Sequence, residues 1–201
     1  MSIEEIISHY QEFLETNQWI SLDQLCWTIV KERFGNPAAA DVGEYLSIGG
    51  NFEVGDLEVG EGALEFSQIA GVFFIETLDG GYFLIQTNDD YASSNQVLRV
   101  LSREAQAWSI AWTGPQHRFA YAADGEVLMD WPGFRSSDAI YGNMPDALSE
   151  EVTLVREVCQ RENWQFNEAV MMAVMEMVSG IRLNSAWFEG NQAAIIVRDI
   201  I

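Results

Sequence analysis

Ile3, Ile6, Ile7, Tyr10, Phe13 and Leu14 recur at helical spacing, with acidic residues between them, and predict an amphipathic helix at the start of the chain. Ser21 stands in the position of an N-cap with Gln24 three residues on. Leu22, Leu25, Cys26, Ile29 and Val30 then make one apolar face that stops at Gly35, Asn36 and Pro37, which predicts a second helix. From about Ala38 to Phe66 the pattern dissolves. The run GGNFEVGDLEVGEGALEF carries five glycines, several acids and only weak alternation, and reads as an exposed irregular hairpin or loop.

Strand patterns follow. VFFIETL and YFLIQT are short β-rich runs around Asp79, Gly80 and Gly81, a hairpin signature. Val97, Leu98 and Leu101 behind a Ser cap predict a short helix over about Ser94–Arg103. AWSIAWT resumes the strands, and HRFAYAA and EVLMDW flank Asp124-Gly125, a pair suited to a tight turn with positive φ. Beyond Pro132 a loop containing Gly142 and Pro145 leads to a helix capped by Ser149 with Val152, Val155 and Val158 on one side. Asn167 caps another helix, EAVMMAVMEMVS, with Gly180 at its C-terminal end. AAIIVRDII reads as a strand or extended tail. The expected fold is α+β, a mainly antiparallel sheet of about five strands with helices from both chain ends packed on it, and residues 1–201 as a single acidic domain.

Charge changes the picture most. The 201 residues hold 31 acids against 10 bases, a formal net charge of −21. No Lys or Arg occurs between Phe34 and Leu98, where Asp41, Glu44, Glu53, Asp56, Glu58, Glu61, Glu65, Glu76, Asp79, Asp89 and Asp90 all fall. Such a field repels phosphate backbones and anionic membrane surfaces, and it steers a basic protein partner. It serves solubility equally well. No apolar run approaches the ~20 residues of a membrane span, and the opening residues lack a basic signal-peptide region, so a cytoplasmic location is expected. Cys26 and Cys159 lie far apart among apolar neighbours and read as buried thiols in a reducing compartment.

Catalytic and metal-binding patterns do not emerge, and neither a cofactor nor a metal is expected. With His9 and His117 as the only histidines there is no zinc motif. Asp89, Asp90, Ser93, Ser94 and Asn95 cluster, but not in the order of a calcium loop, and suit a turn that caps the next helix. Glycine spacing and acidic flanks rule out a phosphate cradle at residues 55–62. Glu76, inside an apolar strand, is the best lone acid or base, and a pocket joining it to His117 and Arg118 is one alternative reading. Met171, Met172, Met175 and Met177 fill the helix before Gly180, which suits either core packing or an adaptable contact surface. Trp108 and Trp112, four apart on a strand, share a face.

The order CWTIVKERFG, FFIETLDGGYF, VLRVLS, HRFAYAADGEV, YGNMPDAL and MAVMEMVSGIRL resembles an uncharacterised bacterial domain family common in actinobacteria. Its marks are a hydrophobic strand ending in Glu, a Leu-Ser pair, an RF-x-Y-A-x-DG hairpin, a Gly-x-x-Pro-Asp turn and a terminal TG-[VI]-x-L helix end. The likeness spans about Cys26 to Leu183. Ser179 replaces the usual Thr, and the acidic stretch near residues 49–66 looks like an insertion. The resemblance implies bacterial origin and domain limits and assigns no activity. The leading functional expectation is a non-catalytic acidic protein-binding module, of the immunity or antitoxin kind, that masks a basic partner surface through Glu53, Asp56, Glu58 and Glu61 with Trp131 as an aromatic anchor. A homodimer built on the Met-rich helix or the IIVRDII tail is the remaining alternative.

Overall fold

The computed structural model describes residues 2–18, 24–33, 35, 37–48, 50–59, 70–87, 89–114, 116–132, 146–162 and 167–198. In chain order these form α1 (Ile3–Thr16), β1 (Gln24–Glu32), α2 (Ala39–Ser47), β2 (Phe52–Glu58), β3 (Ala70–Leu78), β4 (Gly81–Gln86), a single 3-10 turn (Tyr91–Ser93), α3 (Asn95–Leu101), β5 (Ala105–Thr113), β6 (Gln116–Ala123), β7 (Glu126–Pro132), α4 (Asp146–Glu162), α5 (Glu168–Ser179), a second 3-10 turn (Ser185–Phe188) and β8 (Asn191–Arg198).

The strands make one antiparallel sheet in the order β2-β8-β3-β4-β1-β5-β6-β7. Eight strands, rather than about five, are therefore present among the described residues. Beyond the five strand patterns of VFFIETL, YFLIQT, AWSIAWT, HRFAYAA and EVLMDW, the sheet holds β1, β2 and β8, the last from the segment read as a strand or extended tail. β1 overturns the expected second helix. Its residues Leu25, Cys26, Trp27, Ile29 and Val30 are all buried, because β1 runs between β4 and β5 with helices over both faces. A strand covered on both sides loses its apolar-polar alternation and mimics a helical stripe. Likewise, the stretch expected to be irregular holds α2 and the edge strand β2, while Ser21, Glu61, Gly142 and Pro145 lie outside the described residues.

Two apolar layers flank the sheet, and strand parity sorts them. One face presents Trp27, Ile29, Phe74, Phe83, Trp108, Ile110, Trp112, Phe119, Tyr121, Met129 and Trp131 to α1, α4 and α5, the helices near the chain ends. The opposite face of β5 and β6 is built from Ala105, Ala107, Ala111, Ala120 and Ala122 under Val97, Leu98 and Leu101 of α3. The small side chains of that face pack against α3 and the first 3-10 turn, and the large ones of the other face pack against α1 and α5.

Local chemistry explains the element ends. Ser2 and Glu5 form a reciprocal capping box on α1. The Asn167 side chain accepts from the Val170 N–H at the start of α5, and Gly180 closes that helix at φ 70°. Asp124 and Gly125, both at positive φ, make the two-residue turn between β6 and β7. At the β3–β4 turn a Cβ on Gly81 would meet the Val30 carbonyl oxygen at 2.1 Å, so the close approach to β1 requires glycine.

Candidate functional site

β2 occupies one edge of the sheet and pairs only with β8 among the described residues, Phe52 opposite Val197 through Glu58 opposite Asn191. Phe52 tucks beneath α2, where a side chain at Gly43 would strike its ring at 2.4 Å. Beyond that cover the strand is open to solvent. Glu53, Val54, Gly55, Asp56 and Glu58 are exposed, Val54 at 48%, and only Phe52 and Leu57 are half-buried. This edge is where Glu53, Asp56 and Glu58, three of the expected partner-binding residues, are found together.

Parity divides those carboxylates. Asp56 and Glu58 share the face of Phe52 and Val54, the face under which α2 packs. Glu53 projects from the opposite face with Leu57, which packs against the layer of α1 and α5. Glu53 is also partly neutralised, because Arg198 Nη2 lies 3.1 Å from its Oε1. No cation pairs with Asp56 or Glu58 among the described residues. Glu44, exposed on α2, adds charge on the same side of the sheet as Asp56. Val54 was missed in the sequence, although the alternation of FEVGDLE already sets it beside Asp56 on one face. The expectation for Trp131 is corrected: it is 1% exposed on β7 and packs into the core, because its position on the strand faces the layer that α1, α4 and α5 cover. It offers no surface anchor.

The pocket drawn around Glu76, His117 and Arg118 does not form. Glu76 on β3 accepts a hydrogen bond at 3.2 Å from the Trp187 indole N–H. β3 stands four strand spacings from β6, roughly 19 Å at the usual strand separation. His117 is buried with its Nε2 2.5 Å from Glu168 Oε1 at the start of α5. Arg118, the next residue, points through the other face. It makes paired contacts of 2.8 and 2.9 Å to Asp130 on β7, donates to Asn95 Oδ1 at 2.5 Å and bonds the Ser93 carbonyl. The Asp89–Asn95 cluster is thus organised around a guanidinium, and Ser94 caps α3 by accepting from the Val97 N–H at 3.3 Å. Among the described residues no group of three or more His, Cys, Asp or Glu is placed to hold a metal ion.

Cys26 is wholly buried beside Thr28 and Ser109, whose hydroxyls are 2.7 Å apart. Burial pushes its thiol up to about 11, out of the range of a reactive nucleophile. The Met-rich helix is core as well: Met171, Met172 and Met175 are fully buried. Of the IIVRDII tail offered as a dimer contact, residues 195–198 lie in β8, which is inserted between β2 and β3, and residues 199–201 lie outside the described residues.

A second polar arrangement escaped the sequence entirely. Glu176, the one charged residue in the interior of α5, is 8% exposed and forms a two-pronged pair with Arg182, Nε to Oε2 at 2.9 Å and Nη2 to Oε1 at 2.5 Å. The Tyr10 hydroxyl accepts from the Leu183 N–H at 3.3 Å beside that carboxylate, and burial followed by the charge of Glu176 raises the tyrosine's pKa. His9 Nε2 lies 3.1 Å from the Leu183 carbonyl. These contacts fasten the end of α5 to α1 and are structural in kind.

The described residues define a mixed α/β protein: an antiparallel sheet with helices on both faces and a charged, open edge strand. The chain belongs to DUF6461, a family of unknown function, whose pattern matches residues 43–195, from within α2 to within β8. No curated protein and no solved structure matches the chain. No helix among the described residues is long and apolar enough to cross a membrane.

Proposed function

We propose that this protein is an acidic protein-binding module that masks a basic surface of its partner, in the manner of an immunity protein or antitoxin, and that β2 is the contact strand. The observation that supports this reading is the placement of Asp56 and Glu58, drawn from a segment without a single Lys or Arg between residues 34 and 98, on the exposed edge strand with no cation partner among the described residues. Uncompensated carboxylates on an open edge favour a cationic partner in two ways. They accelerate its encounter through the long-range field, and no ion pair within the described residues has to be broken before they meet its cations. On this reading the protein works in a bacterial cytoplasm as one domain and does no chemistry of its own.

The test is capture from lysate of the source organism at low and high salt, with the wild-type protein beside the double variant Asp56→Lys/Glu58→Lys. The reading expects a basic protein that is retained at low salt, released as salt rises, and lost with the charge reversal. Retention of the same partner by the reversed variant would overturn it.

A further inference from the structure

The phase of hydrogen bonding along β2 can be read from a single contact. The Arg198 N–H donates to the Asn51 carbonyl at 3.0 Å, and the register that sets Phe52 opposite Val197 sets Asn51 opposite Arg198. In an antiparallel pair, N–H and C=O of the same residue point to the same side, and the side alternates with each residue. Glu53, Gly55 and Leu57 therefore spend their backbone groups on β8. Phe52, Val54, Asp56 and Glu58 turn theirs outward, where no strand pairs with them among the described residues.

From this we infer that the partner binds by strand addition: an extended basic segment docks antiparallel on β2 as a ninth strand, bonded to the outward groups of Val54, Asp56 and Glu58. The inference rests on the acidic-module reading and specifies how the same edge is used. Residues opposite one another in such a pair share a face, so β2 dictates the pattern of its guest. Read from its N-terminus, the guest carries a basic residue opposite Glu58, an apolar one opposite Leu57, a basic one opposite Asp56, a bulky one over Gly55, an apolar one opposite Val54 and a polar one opposite Glu53, whose charge Arg198 already shares. Gly55 leaves room for the bulky residue, since nothing lies within 4 Å of where its Cβ would be. Charge selects this occupant over a second copy of the chain, which would bring another −21 to the same edge. The opposite sheet edge, β7, is a poorer host for a cation, because its Asp130 is already held by Arg118.

The probe is a fluorescein-labelled peptide, Lys-Val-Lys-Tyr-Val-Lys with blocked ends, followed by anisotropy at about 50 mM salt, where surface charges are screened less than at physiological ionic strength. Val54→Pro is the discriminating variant. The Val54 N–H points away from β8, so proline there removes an outward donor without breaking the β2–β8 ladder, a position that edge strands accept. Strand addition expects the peptide to bind the wild type and to lose roughly tenfold or more in affinity for Val54→Pro. A complementary pair of peptides leaves the protein untouched. N-methylation of the peptide amides that face Val54 and Asp56 should cost a similar factor, and methylation of the alternate amides should not.

Equal binding of the peptide by wild type and Val54→Pro, or equal loss from both methylation patterns, would overturn strand addition. If Asp56→Lys/Glu58→Lys still abolished capture of the basic partner in that case, the acidic-module reading would survive alone. Failure of the peptide to bind the wild type, while the basic protein is captured, would likewise sink strand addition only.

Discussion

Arg182→Met should be far more destabilising than the loss of its partner's charge, and the reason is the unequal burial of the two groups. The Glu176 side chain is 10% exposed and that of Arg182 is 30% exposed. Removing the guanidinium strands a carboxylate in the interface between α5 and α1, beside the Tyr10 hydroxyl, whereas removing the carboxylate leaves an arginine that can swing into water. Breaking a fully buried pair by deleting one member costs about 3–5 kcal/mol. Partial exposure of the arginine lowers that to about 2–3 kcal/mol for Arg182→Met. Glu176→Gln, which keeps the shape and loses the charge, should cost about 1 kcal/mol. For a chain of this length, Arg182→Met then lowers the melting temperature by roughly 5–10 °C. Urea denaturation followed by tryptophan fluorescence measures each variant. The double variant Glu176→Met/Arg182→Met completes the cycle, and it should recover to within about 1 kcal/mol of the wild type, because two apolar side chains of similar volume leave no buried charge. An Arg182→Met variant no less stable than Glu176→Gln would refute the argument that the stranded carboxylate dominates.

Three further outcomes follow from particular contacts. Glu32, half-buried at the end of β1, has its pKa raised by burial and then by the nearby charge of Glu104, so the folded state holds that proton more tightly than the unfolded chain. The folded state therefore gains as pH falls through the carboxylate range and loses that gain as pH rises. Glu32→Gln should stabilise by a few tenths of a kcal/mol at pH 7 and by nothing near pH 4, as thermal melts at the two pH values will show. Ile48 ends α2 at φ 50°, a left-handed conformation that penalises a β-branched residue, and its side chain is 46% exposed. Ile48→Gly should stabilise by about 1 kcal/mol in urea, and destabilisation would show that Ile48 makes contacts worth more than the strain. In a Cys159→Ser background, Cys26 should react with a disulfide reagent at pH 8 only after denaturation, because its thiol is buried and titrates at about 11. Rapid native-state labelling would contradict that burial.

What could be read along the chain was what neighbouring residues decide among themselves. The Asn167 and Gly180 limits of α5, the Asp124-Gly125 turn and the hairpin at Asp79-Gly80 depend on contacts within a few residues, and each is found where its signal stands. The acidic, base-free stretch was equally legible, since charge is a property of composition. β1 was not, because its apolar residues meet two layers contributed by α1, α3 and α5, and burial on both faces erases the alternation that marks a strand. Nor could spacing along the chain bring Arg118 to Asp130 and Asn95, or separate Glu76 from His117 by four strand spacings. The same holds at the edge. Sequence supplied Glu53, Asp56 and Glu58, but only the pairing of β2 with β8 divides them between two faces, ties Glu53 to Arg198 and turns the backbone of Val54, Asp56 and Glu58 outward. Caps, turns and net charge are local or additive quantities that a chain carries with it. Which face a side chain takes, and which backbone groups stay unpaired, are set by the neighbour in the sheet, and for β2 that neighbour arrives from more than 130 residues further on, at Asn191–Arg198.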